Sequence, residues 1–174
     1  MEVKEGKNHM SFVKNPTTGK VLEFFGPTVE ILTSPQEIQN DFCILRGTIP
    51  PGGFVPLHSH PDTEDFLVIS GEIEGLKQDG EDHAWIGAKA GDYIHAPSNA
   101  RHAWRNVSGS PSVEIIITTK KLGQFFQEIG RPATGSPLPV TSEDPERFAA
   151  ISARYGYWNA TPEENATIGI PLSF

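Results

Sequence analysis

The chain has 174 residues and a formal net charge of -8, from 14 lysines and arginines against 22 aspartates and glutamates. This length predicts one domain, or one domain with an extension, which buries enough surface to fold without disulfides. The acidic balance and the scattered basic residues argue against a nucleic acid partner. The sequence has no long apolar run, which argues against a membrane partner, and its first residues lack the apolar stretch of a secretory signal. We therefore expect a cytoplasmic protein.

Short runs of apolar and β-branched residues follow one another over residues 21–119, separated by Gly, Pro, Asn or Ser. Runs of this length and spacing are typical of strands in a β-sandwich or a small barrel. Examples of the predicted strands are residues 21–25, 28–32, 41–45, 65–69, 83–86, 92–94, 102–107 and 113–119.

The hydrophobic period changes after Thr119. Four residues have the spacing of one helix face, and they are Leu122, Phe125, Phe126 and Ile129. Gly130 is expected to end this helix. A second helix begins after a cap at Thr141 or Ser142, and a third runs over Pro162–Thr167.

These patterns divide the chain into three parts. We expect an N-terminal arm (1–20), a β-barrel (21–119) and a helical C-terminal extension (120–174). The extension is amphipathic, so we expect it to clamp the outside of the barrel or a second subunit and not to contribute to a site.

Three histidines and one glutamate have spacings that favour a metal site. His58 and His60 stand two residues apart, so on a strand both imidazoles point to the same side. Glu64 follows across a turn, and His102 opens a separate strand that closes the site. Three imidazoles and a carboxylate suit one divalent transition metal ion (Fe, Mn, Ni, Co, Cu or Zn) and do not suit Ca or Mg.

The frame around these residues resembles the two motifs of the cupin superfamily. The first motif, G(X)5HXH(X)3,4E(X)6G, is matched by Gly52, His58, His60, Glu64 and Gly71. The second, G(X)5PXG(X)2H(X)3N, is matched by Gly91, Pro97, His102 and Asn106. Asn99 stands where the family has Gly. Because Asn tolerates a left-handed backbone, we expect the turn to be preserved.

The resemblance implies an antiparallel jelly-roll β-barrel with the four ligands inside its mouth. A substrate needs an open coordination position, so we favour a six-coordinate, redox-capable ion over a closed structural one. The C-terminal extension is similar to that of bacterial single-barrel cupins, some of which are described as quercetin-dioxygenase-like. Jelly-roll cupins are commonly dimers, which implies a homodimer here.

A substrate pocket is predicted from strand parity. Counting in steps of two from the ligands puts Phe66 and Trp104 on the ligand face. Trp104 is then either a wall against a planar substrate or an ordinary core aromatic. Arg46 clamps a carboxylate or enolate if its face of the strand is inward, and is a surface charge if that face is outward. Asp62 and Asp65 are expected to be solvated.

Three functions remain compatible with these residues. The first is an oxidoreductase of dioxygenase type, which acts on a small enolic or phenolic compound with Glu64 as the base. The second is a metal-assisted isomerase or lyase that acts on a small sugar acid or keto acid. The third is a non-catalytic module that binds a small ligand.

Overall fold

The computed structural model describes residues 19–33, 35–36, 41–79, 82–134 and 143–172. Within these ranges the chain forms two antiparallel sheets, and the last strand of the barrel is followed by three helices. The predicted all-β fold with a helical C-terminal extension is confirmed. Residues 1–18 of the predicted N-terminal arm lie outside the described residues, as do the predicted caps Thr141 and Ser142.

The larger sheet has seven strands. In chain order they are β1 (Lys20–Glu23), β2 (Thr28–Ile31), β3 (Phe42–Ile49), β5 (Glu64–Ser70), β8 (Tyr93–Ala96), β10 (Ser112–Thr119) and β11 (Arg131–Pro132). Across the sheet the strands lie in the order β11-β1-β2-β3-β10-β5-β8. Strands that neighbour each other in space are often distant in sequence, as in a jelly roll.

The smaller sheet has five strands. They are β4 (Phe54–Ser59), β6 (Glu72–Asp79), β7 (Asp82–Lys89), β9 (His102–Arg105) and β12 (Trp158–Asn159), in the spatial order β12-β4-β9-β6-β7. The pattern of short apolar runs did not predict β6, which has few apolar residues and a central glycine, Gly75. A Cβ at Gly75 would come within 2.5 Å of the Trp104 ring, so the strand needs glycine for this aromatic side chain to pack.

The hydrophobic core lies between the two sheets. Burial alternates along β3, where Cys43 and Leu45 are buried and their neighbours are partly exposed, as expected for a strand with one face in the core. The larger sheet also contributes Phe66 and Val68, and the smaller sheet contributes Trp104. A packed apolar interior therefore lies directly beneath the ends of the strands that carry the predicted ligands.

Three helices follow the last barrel strand, α1 (Lys120–Ile129), α2 (Glu143–Tyr155) and α3 (Pro162–Thr167). The Thr119 side chain caps α1 by accepting from the backbone N–H of Leu122 at 3.1 Å. The predicted apolar face of α1 packs against Ile151 of α2 and against Tyr157. Among the described residues, no helix combines the length and the hydrophobicity needed to cross a bilayer.

The C-terminal extension also covers the outer face of the smaller sheet. Ile168 and Ile170 pack against Leu57 of β4. Asn165 is buried and accepts from the backbone N–H of Leu57 at 2.9 Å, and β12 pairs with β4. The extension therefore adds a strand beside β4, the strand that carries His58. The sequence pattern did not predict this added strand.

Candidate metal centre

The four predicted ligands converge at one end of the space between the sheets. His58 on β4 lies directly opposite His102 on β9 in the strand register, with ring centroids 4.2 Å apart. His60 follows β4, and its ring centroid is 5.1 Å from that of His102. Glu64 begins β5 in the facing sheet. One ligand atom from each of the four side chains lies within 4.8 Å of all the others.

Backbone carbonyl groups determine which nitrogen of each imidazole carries the hydrogen. The Nδ1 atoms of His58, His60 and His102 donate to the carbonyl oxygens of Pro56, Asp62 and Ala100, at 2.8, 2.9 and 2.8 Å. Because a carbonyl oxygen can only accept, each Nδ1 carries the hydrogen and each neutral ring keeps its lone pair on Nε2. Such a second hydrogen bond is typical of histidines that bind metals.

The buried nitrogen atoms in this cluster fit a cation. The Nε2 atoms of His60 and His102 each lie 3.3 Å from Oε2 of Glu64, and neither has a hydrogen-bond partner among the described residues. Lone pairs that face a buried carboxylate repel it unless a proton or a cation lies between them. A metal ion would accept all of these lone pairs at once. The four side chains can therefore hold one divalent transition metal ion.

The charge states of the cluster agree with this fit. Burial, and then the neighbouring His102 and His60, lower the pKa of His58 to about 3. Burial favours the protonated form of Glu64, but contacts with protonated His102 and His60 outweigh burial and lower the pKa of Glu64 below its ordinary value. Burial lowers the pKa of His60, but its contact with Glu64 outweighs burial and raises it, so the proton between them occupies the place that a cation would take. At neutral pH His58 is therefore neutral and Glu64 is ionised, which are the states that metal binding requires.

Asp62 lies in the turn between His60 and Glu64. The prediction that it is solvated is wrong, because Asp62 is buried. Its side chain is only 5% exposed, and its carboxylate accepts from the hydroxyl of Tyr157 at 2.5 Å and from that of Thr119. Burial, and then the Asp62 carboxylate, raise the pKa of Tyr157, so the phenol keeps its proton and donates. One residue of the extension, Tyr157, thus reaches the site, which the sequence pattern did not predict.

Asp65, in contrast, is accessible to solvent, as predicted. It lies half-exposed on the outer face of the larger sheet. Its Oδ1 accepts from the Tyr93 hydroxyl at 2.6 Å and pairs with Nδ1 of His95 at 2.7 Å.

Phe66 and Trp104 lie in the core beneath the cluster. Both side chains are buried, and their ring centroids are 4.7 Å apart. The Trp104 ring also lies 6.1 Å from the His102 ring. Trp104 is therefore a core aromatic beside His102, one of the predicted metal ligands. Its role towards a substrate stays a prediction.

The structure does not bring Arg46 to the cluster. On β3 the inward residues include Leu45, so Arg46 lies on the opposite face. There its guanidinium pairs with the Glu30 carboxylate at 2.5 Å. This placement corrects the inward alternative, in which Arg46 clamps a substrate.

Other motif residues hold turns. Asn99 has φ 61°, so the prediction that Asn preserves a left-handed turn at this position is confirmed. The backbone N–H of Gly52 donates to the carbonyl of Asn106 at 2.8 Å, and the Asn106 amide donates to the carbonyl of Ile49 at 2.9 Å. Gly52 and Asn106 therefore tie two loops together and do not face the cluster.

A cavity of about 450 Å³ lies at the other end of the barrel, where β5 ends and β6 begins. Its lining includes the charged side chains of Glu72, Glu74, Lys89 and Asp92. None of the four predicted ligands lines this cavity. The cavity is therefore separate from the candidate metal centre.

Comparison with known families identifies the barrel. Residues 45–118 match the family described as "Cupin domain", and this segment contains all four residues of the cluster. Residues 45–118 are a cupin domain. This match confirms the resemblance of the two motifs to the cupin superfamily. The two antiparallel sheets confirm the jelly-roll architecture that the resemblance implies.

Several known proteins are similar to this chain. Quercetin 2,3-dioxygenase of Bacillus subtilis (strain 168) is 32% identical over 151 residues, which are 84% of this chain and 44% of that enzyme. The chain therefore spans less than half the length of this relative. A polyketide cyclase from Streptomyces resistomycificus superimposes with a TM-score of 0.58 at 13% identity, over 82% of this chain and 99% of the cyclase. A predicted oxalate decarboxylase from Thermotoga maritima gives 0.54 at 20% identity, over 62% and 98%.

Proposed function

We propose that this cupin is a metal-dependent oxidoreductase of dioxygenase type that acts on a small enolic or phenolic compound. The observation that carries the proposal is the convergence of three imidazoles with one ionised carboxylate. Each imidazole donates from Nδ1 to a backbone carbonyl, which leaves its Nε2 lone pair for an ion. The similarity to quercetin 2,3-dioxygenase over most of this chain supports it. Because the chain spans less than half of that enzyme, the substrate is proposed only as a chemical class.

The residues in and below the cluster would have different roles in such a reaction. His58, His60 and His102 would hold the ion through Nε2, and the bound ion would supply Lewis acidity and redox chemistry. Glu64 would also hold the ion, through the oxygen that faces the two imidazoles, and on leaving the ion its carboxylate would take the hydroxyl proton of the substrate. Phe66 and the other buried apolar side chains below the cluster would exclude water from it.

Oxygen uptake tests this proposal directly. The protein is stripped of metal, reloaded separately with Fe, Mn, Ni, Co or Cu, and assayed with flavonols, diketones and catechols. We expect uptake with at least one metal and one substrate class, and loss of that uptake in Glu64→Gln and His102→Ala. Arg46→Gln, on the outer face, is the matched control and should keep full activity. Absence of uptake with every metal would end the proposal.

The same protein samples separate the two other functions. Turnover of a sugar acid or keto acid by the Zn(II) form without oxygen would indicate a metal-assisted isomerase or lyase. Tight binding of a small ligand without turnover would indicate a binding module. Both outcomes would leave the metal centre in place and change only its chemistry.

We also propose that the protein is a homodimer. Apolar side chains are exposed on the outer face of the larger sheet, and they are Leu67, Ile69, Tyr93 and Ile117, at 48%, 48%, 65% and 45%. A contiguous apolar face of this kind is typical of an interface, and a two-fold interface uses the same face of each copy. Light scattering should give twice the chain mass, and Ile117→Glu should halve it. A monomeric unaltered protein would contradict the proposal.

A further inference from the structure

We propose that Tyr157, in the C-terminal extension, is a positioning residue for the metal ligand His60 and acts through Asp62. This inference rests on the proposed function, because it requires that the cluster holds a metal ion. It assigns a role in the metal centre to a residue that lies outside both cupin motifs.

The first link joins His60 to Asp62. Nδ1 of His60 donates to the backbone carbonyl of Asp62 at 2.9 Å, in the turn that leads to Glu64. This bond sets the tautomer of the ring and the direction of its Nε2 lone pair. Any movement of the Asp62 backbone therefore turns the ligand.

The second link holds Asp62 in place. Its buried carboxylate accepts from Tyr157 on Oδ2, at 2.5 Å, and from Thr119 on Oδ1. Hydrogen bonds to an ionised group are roughly twice as strong as neutral ones, and a buried carboxylate needs them. The next residue is held as well, because the Thr118 hydroxyl donates to the carbonyl of Thr63 at 2.8 Å. Side chains from other elements therefore hold the turn between His60 and Glu64 in place.

The third link holds Tyr157 itself. Its ring lies 4.7 Å from that of Phe125 on α1 and 5.3 Å from the imidazole of His60. The ammonium group of Lys121 lies 5.1 Å from the centre of the same ring. Tyr157 therefore contacts His60 directly through its ring and indirectly through Asp62, and its own position depends on the packing of the helices.

Tyr155 provides a matched control two residues away. Its ring also packs against Phe125, at 5.2 Å, but its hydroxyl donates to the exposed Glu128 at 2.6 Å. Tyr155→Phe therefore removes a phenol hydroxyl from the same aromatic cluster without removing a bond to Asp62. Any difference between Tyr155→Phe and Tyr157→Phe reports on the link to the site and not on helix packing in general.

The test measures Co(II) binding by the metal-free 174-residue chain. Calorimetry gives the affinity, and the visible absorption bands of bound Co(II) report the arrangement of its ligands. Loss of a residue that supports a metal ligand typically costs 10–100-fold in affinity, so for Tyr157→Phe we expect a loss of about tenfold with displaced bands. Tyr155→Phe should match the unaltered protein in both measurements, and circular dichroism should show that both variants are folded.

Two results would overturn the inference alone. One is an unchanged affinity and spectrum in Tyr157→Phe, and the other is an equal loss in Tyr155→Phe. A second variant, Thr119→Val, removes the other hydroxyl on the Asp62 carboxylate, so we expect it to displace the same bands. Failure of the unaltered protein to bind Co(II) would overturn both this inference and the proposed function.

Discussion

The fold disfavours the ionised form of Glu114. Glu114 lies on β10 with a side chain only 2% exposed, beside Gly47 of β3, and its carboxyl accepts from the Ser112 hydroxyl. Burial raises the pKa of Glu114 from an ordinary value of 4.5 to about 7, although the Ser112 hydrogen bond opposes part of this rise. The folded protein therefore keeps a proton that the unfolded chain releases.

This difference makes stability depend on pH with a definite sign. Between the unfolded pKa of 4.5 and the folded pKa of about 7, the folded state binds more protons than the unfolded state. The free energy of unfolding therefore falls as the pH rises through this window. At about 1.4 kcal/mol per pKa unit, Glu114 should cost about 3 kcal/mol of stability above pH 7 that it does not cost below pH 4.5.

Glu114→Gln removes the titration and keeps an oxygen that can accept from Ser112. Urea unfolding, followed by circular dichroism at several pH values from about 4.5 to about 8, measures the free energy of unfolding of each protein. Across this range the free energy of unfolding of the unaltered protein should fall by about 3 kcal/mol relative to that of Glu114→Gln. Glu72→Gln, at the exposed start of β6, is the control and should follow the unaltered protein. Parallel curves for the unaltered protein and Glu114→Gln would refute the reasoning.

Two further predictions concern the metal ligands and the turn before His102. His102→Ala should lose bound metal, seen by elemental analysis, and keep its circular dichroism spectrum, because the core between the sheets supports a chain of this size without an ion. An unfolded variant would contradict this. Asn99→Val should lose about 1–2 kcal/mol in thermal unfolding, because φ is 61° at this position, whereas Asn99→Gly should tolerate that backbone. Equal stability of these two variants would show that the turn does not depend on a left-handed residue.

The local part of the site could be predicted because it depends on backbone geometry over a few residues. His58 lies near the end of β4 and His60 just after it, so the alternation of side chains along a strand predicts that both point to the same side, and the turn after them returns Glu64 to the same place. The left-handed turn at Asn99 follows from the conformational tolerance of one residue type. The face of β3 that carries Arg46 could not be settled in this way. Both faces of that strand carry apolar residues, and alternation alone does not say which face is inward.

The sequence by itself determined the all-β class, the amphipathic extension and the identity of the four side chains that can hold a metal ion. Only the tertiary structure decided that Asp62 is buried and that Tyr157 holds it, across 95 residues of chain. Hydrophobic period, turn preference and motif spacing are properties of neighbouring residues. A contact between distant segments depends on how the helices pack against the completed barrel, and no local pattern records that packing.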